Sequence, residues 1–104
     1  MKKASLFDEC LFMDAGFGKV LIHDSPYMKV LSFGFKAGQS LPLHAHDLEG
    51  QVSIVVLSGQ GEFLAKDSTI PAKAGDLLIA DIAEPHGVRA ISDMCVLVTI
   101  APPI

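Results

Sequence analysis

Glycine and proline cut this chain into short apolar runs, and that punctuation leaves little room for helices. Nine glycines and six prolines are spread over 104 residues. They separate segments rich in β-branched and aromatic side chains, the pattern of a many-stranded β domain. The candidate strands are Lys19–His23, Met28–Lys36, Gln51–Ser58, Gly61–Lys66, Asp76–Ala80, His86–Ala90 and Cys95–Ile100. The apolar run Val52 to Leu57 is too short for a typical helix and ends at Ser58-Gly59-Gln60-Gly61, where the glycines permit a tight reversal and so signal a hairpin. Pro71, Pro85, Pro102 and Pro103 fall between or after runs, where a missing N–H does not interrupt a central ladder. The stretch Leu6–Met13 is the one place where a helix fits. Strands of this number in so short a chain leave a two-sheet sandwich of immunoglobulin type or a closed or jelly-roll barrel.

The length accommodates one domain, expected over 1–104, with residues 1–18 as a peripheral segment and the barrel from about 19 onward. Half the residues are hydrophobic and 19% are charged, enough apolar surface for an ordinary core. The formal charge is −4, and the cations from Lys2 to Arg89 are scattered. No basic stripe exists for a phosphate backbone or an anionic membrane surface, so nucleic acid and membrane are excluded as expected partners. Cys10 and Cys95 are too few for a disulfide framework and match no zinc or redox spacing, so both read as free thiols. Met1-Lys2-Lys3 carries the charge of a signal peptide, but Asp8 and Asp14 interrupt any apolar run behind it. No segment approaches the roughly 18 to 20 apolar residues that cross a bilayer. A cytoplasmic location is the resulting expectation.

The histidines narrow the architecture. His44 and His46 are two apart, and in an extended segment such residues point to one face. Gln51 opens the next apolar run and His86 opens another after Glu84-Pro85. Neutral imidazoles with an oxygen donor suit divalent Mn, Fe, Co, Ni, Zn or Cu. A bare His-x-His recurs easily by chance, and on its own an exposed loop helped by Pro42 accounts for it more readily than a metal site. Context changes that balance.

The order Gly38, His44-Ala45-His46, Gln51, Gly59, followed by Gly75-Asp76 and Pro85-His86, resembles the two motifs of the cupin superfamily. The first motif has a glycine, five residues, His-x-His, a carboxylate three or four residues on, and a closing glycine; the second has a glycine, a later proline and a histidine. The resemblance covers roughly Gly34 to Ile104. It implies an all-β, single-domain, RmlC-like jelly-roll β-barrel holding one divalent metal ion through His44, His46, Gln51 and His86. Gln51 stands where the family usually has glutamate, as in a subset of small metal-binding cupins; Glu49 is the substitute ligand, and Gly59 then falls one place late. Asp81, Ala83 and Ala90 stand where the second motif usually has proline, glycine and asparagine.

Replacing a carboxylate by a neutral amide leaves the metal its full charge and favours polarising an oxygen over stabilising a high oxidation state. The expected function is therefore a metal-dependent lyase, isomerase or ring-opening enzyme acting on a small oxygen-rich metabolite such as a sugar acid. Cupins with a glutamine ligand that act on unsaturated uronates look similar around Gln51. The alternatives are a cupin dioxygenase and a non-catalytic small-molecule sensor. The resemblance also implies a homodimer. Among other residues, His23 reads as a surface residue near a turn. Arg89, three past His86, points outward by strand parity. Cys95 reads as a buried small hydrophobe and Asp76 as a turn-former. Met28, Phe33 and Phe35 are core or cavity-mouth residues.

Overall fold

Side-chain alternation along each strand decides which face turns inward. In the computed structural model, which describes residues 1–104, the strands are β1 (Phe12–Met13), β2 (Gly16–Asp24), β3 (Lys29–Phe35), β4 (Ser40–His44), β5 (Gln51–Ser58), β6 (Gln60–Leu64), β7 (Thr69–Lys73), β8 (Leu77–Asp81), β9 (His86–Ala90) and β10 (Met94–Ala101). Strand β5 buries Val52, Ile54 and Val56, while Gln51 faces away, exposed. Strand β10 buries Met94, Val96 and Val98 toward the core, and Cys95 on its other face is buried as well. Leu6–Asp8 forms a 3-10 turn, so the helix expected over Leu6–Met13 is reduced to one short turn.

Two antiparallel sheets result, a six-stranded one ordered β1-β2-β3-β10-β5-β8 and a four-stranded one ordered β4-β9-β6-β7. They face each other as the all-β jelly-roll barrel that the motifs imply. Phe33, Phe35, Ile54, Val56 and Val96 from the larger sheet meet Phe63, Val88 and Ala90 from the smaller. Each fully buried valine, isoleucine or phenylalanine among them contributes about 1.5 to 3 kcal/mol.

Two expectations need correction. The glycines after β5 do not close a hairpin, because β5 pairs with β10 and β8 while β6 pairs with β7 and β9. The chain instead turns a corner from one sheet to the other at Gly59, whose φ of +79° favours glycine and which packs against the Asp93 carbonyl. Second, Cys10 and Cys95 are not free thiols but a disulfide, with Cα atoms 6.1 Å apart, inside the usual range for such a bond.

That disulfide explains an irregularity in β3, where every residue from Leu31 to Phe35 is buried rather than every second one. Leu31, Phe33 and Phe35 face the core, whereas Ser32 and Gly34 are covered by the N-terminal segment. The Ser32 hydroxyl donates to the Glu9 carbonyl, and Leu11 passes so close that a Cβ on Gly18 or Gly34 would collide with its carbonyl. No helix is long and apolar enough to cross a membrane.

Candidate functional site

Leu31 and Phe33 of β3, Val52 and Ile54 of β5, and Val98 and Ile100 of β10 form one wall of a cavity of about 110 Å³ at one end of the core. Leu41, Ile82 and Ile104 complete the apolar lining, and the remaining three of its 12 residues are His44, His46 and His86. No aspartate, glutamate, lysine or arginine reaches it.

His44 reaches the cavity through a bulge. Leu41 pairs with Val88 and also lines the cavity, so strict alternation would send Leu43 inward and His44 out. An extra residue between Leu41 and His44 shifts the register, pairs His44 with His86, and leaves Leu43 exposed. His46 lies just beyond the end of β4, where its N–H donates to the Ile82 carbonyl at 3.1 Å. Ile82 donates in turn to the Gly50 carbonyl at 2.9 Å, tying the connection after β4 to the cavity wall. The His44 ring centroid lies 5.6 Å from that of His46 and 4.5 Å from that of His86.

Hydrogen bonding fixes the tautomers. His44 Nδ1 lies 2.8 Å from the Pro42 carbonyl and His86 Nδ1 lies 2.7 Å from the Glu84 carbonyl. A carbonyl only accepts, so Nδ1 carries the proton in each ring and Nε2 keeps its lone pair. Burial pushes the His86 pKa below the usual histidine value, the neighbouring His44 and His46 rings lower it further, and the Glu84 carbonyl opposes both. A neutral ring with Nδ1 anchored to a carbonyl is the form in which histidine ligates metals. His46 is exposed, and its ring makes no hydrogen bond within the chain.

The structure thus brings His44, His46 and His86 to one cavity and does not bring Gln51 to it. Gln51 is exposed at the start of β5, its amide donating to Asp81 at 3.3 Å, and its neighbour Val52 takes the inward position. Glu49 is exposed beside Gln51, also away from the cavity. The sequence carried the signal: Gly59, one place late for a ligand at 51, is on count for position 52. As the side chains are placed, no group of three or more histidine, cysteine, aspartate or glutamate residues is drawn tightly enough to grip an ion. The donor set itself, imidazoles with two Nε2 lone pairs fixed by their hydrogen bonds, fits a divalent transition metal.

The other singled-out residues fall elsewhere. Arg89 points outward and forks onto Glu62 at 3.0 and 3.1 Å, holding that carboxyl below its ordinary range. Asp76 accepts the Lys73 N–H at 2.9 Å and shapes the turn before β8. His23 sits in β2, outside the cavity, and Phe33 and Phe35 are core. Ile82 and Val52 were missed as lining residues, since nothing in an isolated apolar residue announces a cavity wall.

The cupin domain family matches residues 31–101. Among solved structures, an RmlC-like cupin protein from Desulfovibrio desulfuricans is 53% identical, covers 100% of this chain and 99% of its own, and superposes with a TM-score of 0.96. KdgF from Halomonas sp. is 20% identical with a TM-score of 0.79, covering 90% of this chain and 87% of its own. A salicylate 1,2-dioxygenase variant from Pseudoaminobacter salicylatoxidans is 15% identical with a TM-score of 0.76, covering 84% of this chain and 26% of its own. The last two likenesses concern the fold alone. No curated protein matches the chain.

Proposed function

Since the chain belongs to the cupin family, we propose that it is a divalent-metal-dependent enzyme of lyase, isomerase or ring-opening type, with His44, His46 and His86 as the metal-holding residues. The observation that carries this reading is the pair of Nδ1 hydrogen bonds that leave the Nε2 lone pairs of His44 and His86 unspent beside one cavity. The metal is one of Mn, Fe, Ni, Co, Zn or Cu. When bound, it supplies Lewis-acid chemistry, polarising an oxygen and lowering the pKa of coordinated water. The chain's own residues do the rest: the Pro42 and Glu84 carbonyls hold two rings in one tautomer, and the aliphatic wall excludes water. With only neutral imidazoles supplied by the protein, polarisation is favoured over oxygen activation, which puts a dioxygenase second.

A non-catalytic small-molecule binding module is also supported by one observation: apart from the histidines, no lining side chain can give or take a proton. Turnover of any substrate would separate the two. The homodimer belongs to the same proposal, supported by Leu77 and Ile79, which are 55% and 60% exposed on the edge strand β8.

The test is metal content after purification, by elemental analysis of the parent and of His44→Ala, His86→Ala and Gln51→Ala. Loss of either histidine is expected to weaken metal binding by more than the roughly 10- to 100-fold that removal of an outer hydrogen-bond partner costs. Gln51→Ala should retain the parent's content. Undiminished metal in both histidine variants would overturn the proposal.

A further inference from the structure

The geometry points to a specific ligand chemistry for the cavity: a compact molecule with a single anionic oxygen head, carboxylate or enolate, and an apolar body without hydroxyl groups. The anionic head rests on the metal reading above, whereas the apolar body rests on the cavity wall alone.

The argument for the body begins with the lining. Val52, Ile54, Val98 and Ile100 offer no hydrogen-bond donor or acceptor, and the backbones of β5 and β10 are spent on each other and on flanking strands. A hydroxyl carried into that space loses water and gains nothing, at a cost of about tenfold in affinity or more for each one left unpaired. A sugar acid, with several hydroxyls, is therefore the wrong shape of chemistry for this wall. Size agrees. A cavity of about 150 Å³ lined by aliphatic and aromatic side chains holds benzene, so the 110 Å³ here suits a body of only a few carbons.

The head follows from charge. In the usual cupin motif a carboxylate offsets part of the metal's charge, but here Val52, 3% exposed, takes the inward position on β5. No aspartate or glutamate replaces it in the lining. A divalent ion held by neutral imidazoles in an apolar cavity then has no anionic side chain beside it, and a buried charge needs a partner. The ligand must supply it. Arg89, three residues past His86, is committed to Glu62 on the outer side of β9 and does not compete for that head.

Three probes of matched skeleton separate the terms: pentanoate, with an apolar body and anionic head; 4-hydroxybutyrate, its counterpart with a hydroxyl at the far end of the body, too distant from the carboxylate to form a small chelate ring on the metal; and 2-hexanone, its neutral counterpart. Calorimetric titration into the metal-loaded protein is expected to rank pentanoate tightest, with 4-hydroxybutyrate about tenfold weaker for its one unpaired hydroxyl and the ketone at least about tenfold weaker. Val52→Thr, which adds one hydrogen-bonding group at nearly constant volume, should narrow the hydroxybutyrate gap. 4-Hydroxybutyrate binding as well as pentanoate, or no probe binding, overturns the apolar body. The ketone matching the anion overturns the charged head. In metal-free protein, xenon should still shift the methyl resonances of Val52, Ile54 and Val98. A xenon response in a protein that takes up no metal would sink the metal reading and the charged head while leaving the apolar body standing. The absence of that response would sink the body.

Discussion

Val52 and Gln51 are adjacent, yet strand parity gives them opposite surroundings, one against the imidazoles and the other in solvent. Val52→Glu would set a carboxylate among the three histidines. Without metal, that variant should lose about 2 to 4 kcal/mol of stability, the range of a buried polar group with poor partners. Saturating zinc should restore much of it, and thermal melts with zinc and with chelator will show whether it does. A Val52→Glu protein as stable as the parent in chelator would mean that position 52 faces water. His86 gives a second residue-scale expectation. Its folded pKa lies below the ordinary 6.5, so at lower pH the unfolded chain binds the proton more readily than the folded one. Stability of the metal-free protein should therefore fall as pH drops through about 6.5, and His86→Gln should flatten that slope in denaturant titrations at pH 7.5 and 5.5. A parent slope that is flat over this window would contradict the buried, neutral ring.

The N-terminal strap is the element on which the larger sheet's outer face depends. It is held by the Cys10–Cys95 bond, by Ser32 bonding Glu9, and by the space that Gly18 and Gly34 leave for Leu11. Purified without reductant, the protein should show no thiol reactive toward Ellman's reagent in denaturant, and Cys95→Ser should cost about 2 to 4 kcal/mol. Two reactive thiols per chain would show the bond to be absent. Gly34→Ala should cost about 1 to 3 kcal/mol by overpacking against the strap. The strap was illegible in the sequence because cysteine spacing carries no information about strand register. Only the pairing of Cys95 with Gly34 brings the last strand beneath residue 10. Two strands were legible to the residue: β5 runs over Gln51–Ser58, a long apolar run closed by glycine, and β9 over His86–Ala90, opened by the Pro85-His86 punctuation. Strands β4 and β7 were not, since each contains a proline and is an edge strand with mostly partial or full exposure, which dilutes apolar alternation. The histidines could be gathered from motif spacing, but the bulge that turns His44 inward and the parity that turns Gln51 outward are matters of register.

At the scale of the whole molecule, the exposed apolar side chains of β8 ask for cover, and a second copy is the proposed occupant. Light scattering at high concentration should give twice the 11.1 kDa chain mass, and Ile79→Lys should shift the protein toward monomer; a strict monomer in the parent would remove the dimer. The barrel, the strap and the bulge together serve one end of the core, where the imidazoles meet the apolar cavity. The most direct measurement of that centre is an anomalous difference map from crystals of the metal-loaded protein, collected at the absorption edge of the bound metal. A single peak about 2.0 to 2.2 Å from Nε2 of His44, His46 and His86, with Gln51 turned away, is the predicted result. A peak elsewhere, or imidazoles with no peak among them in fully loaded protein, would contradict it.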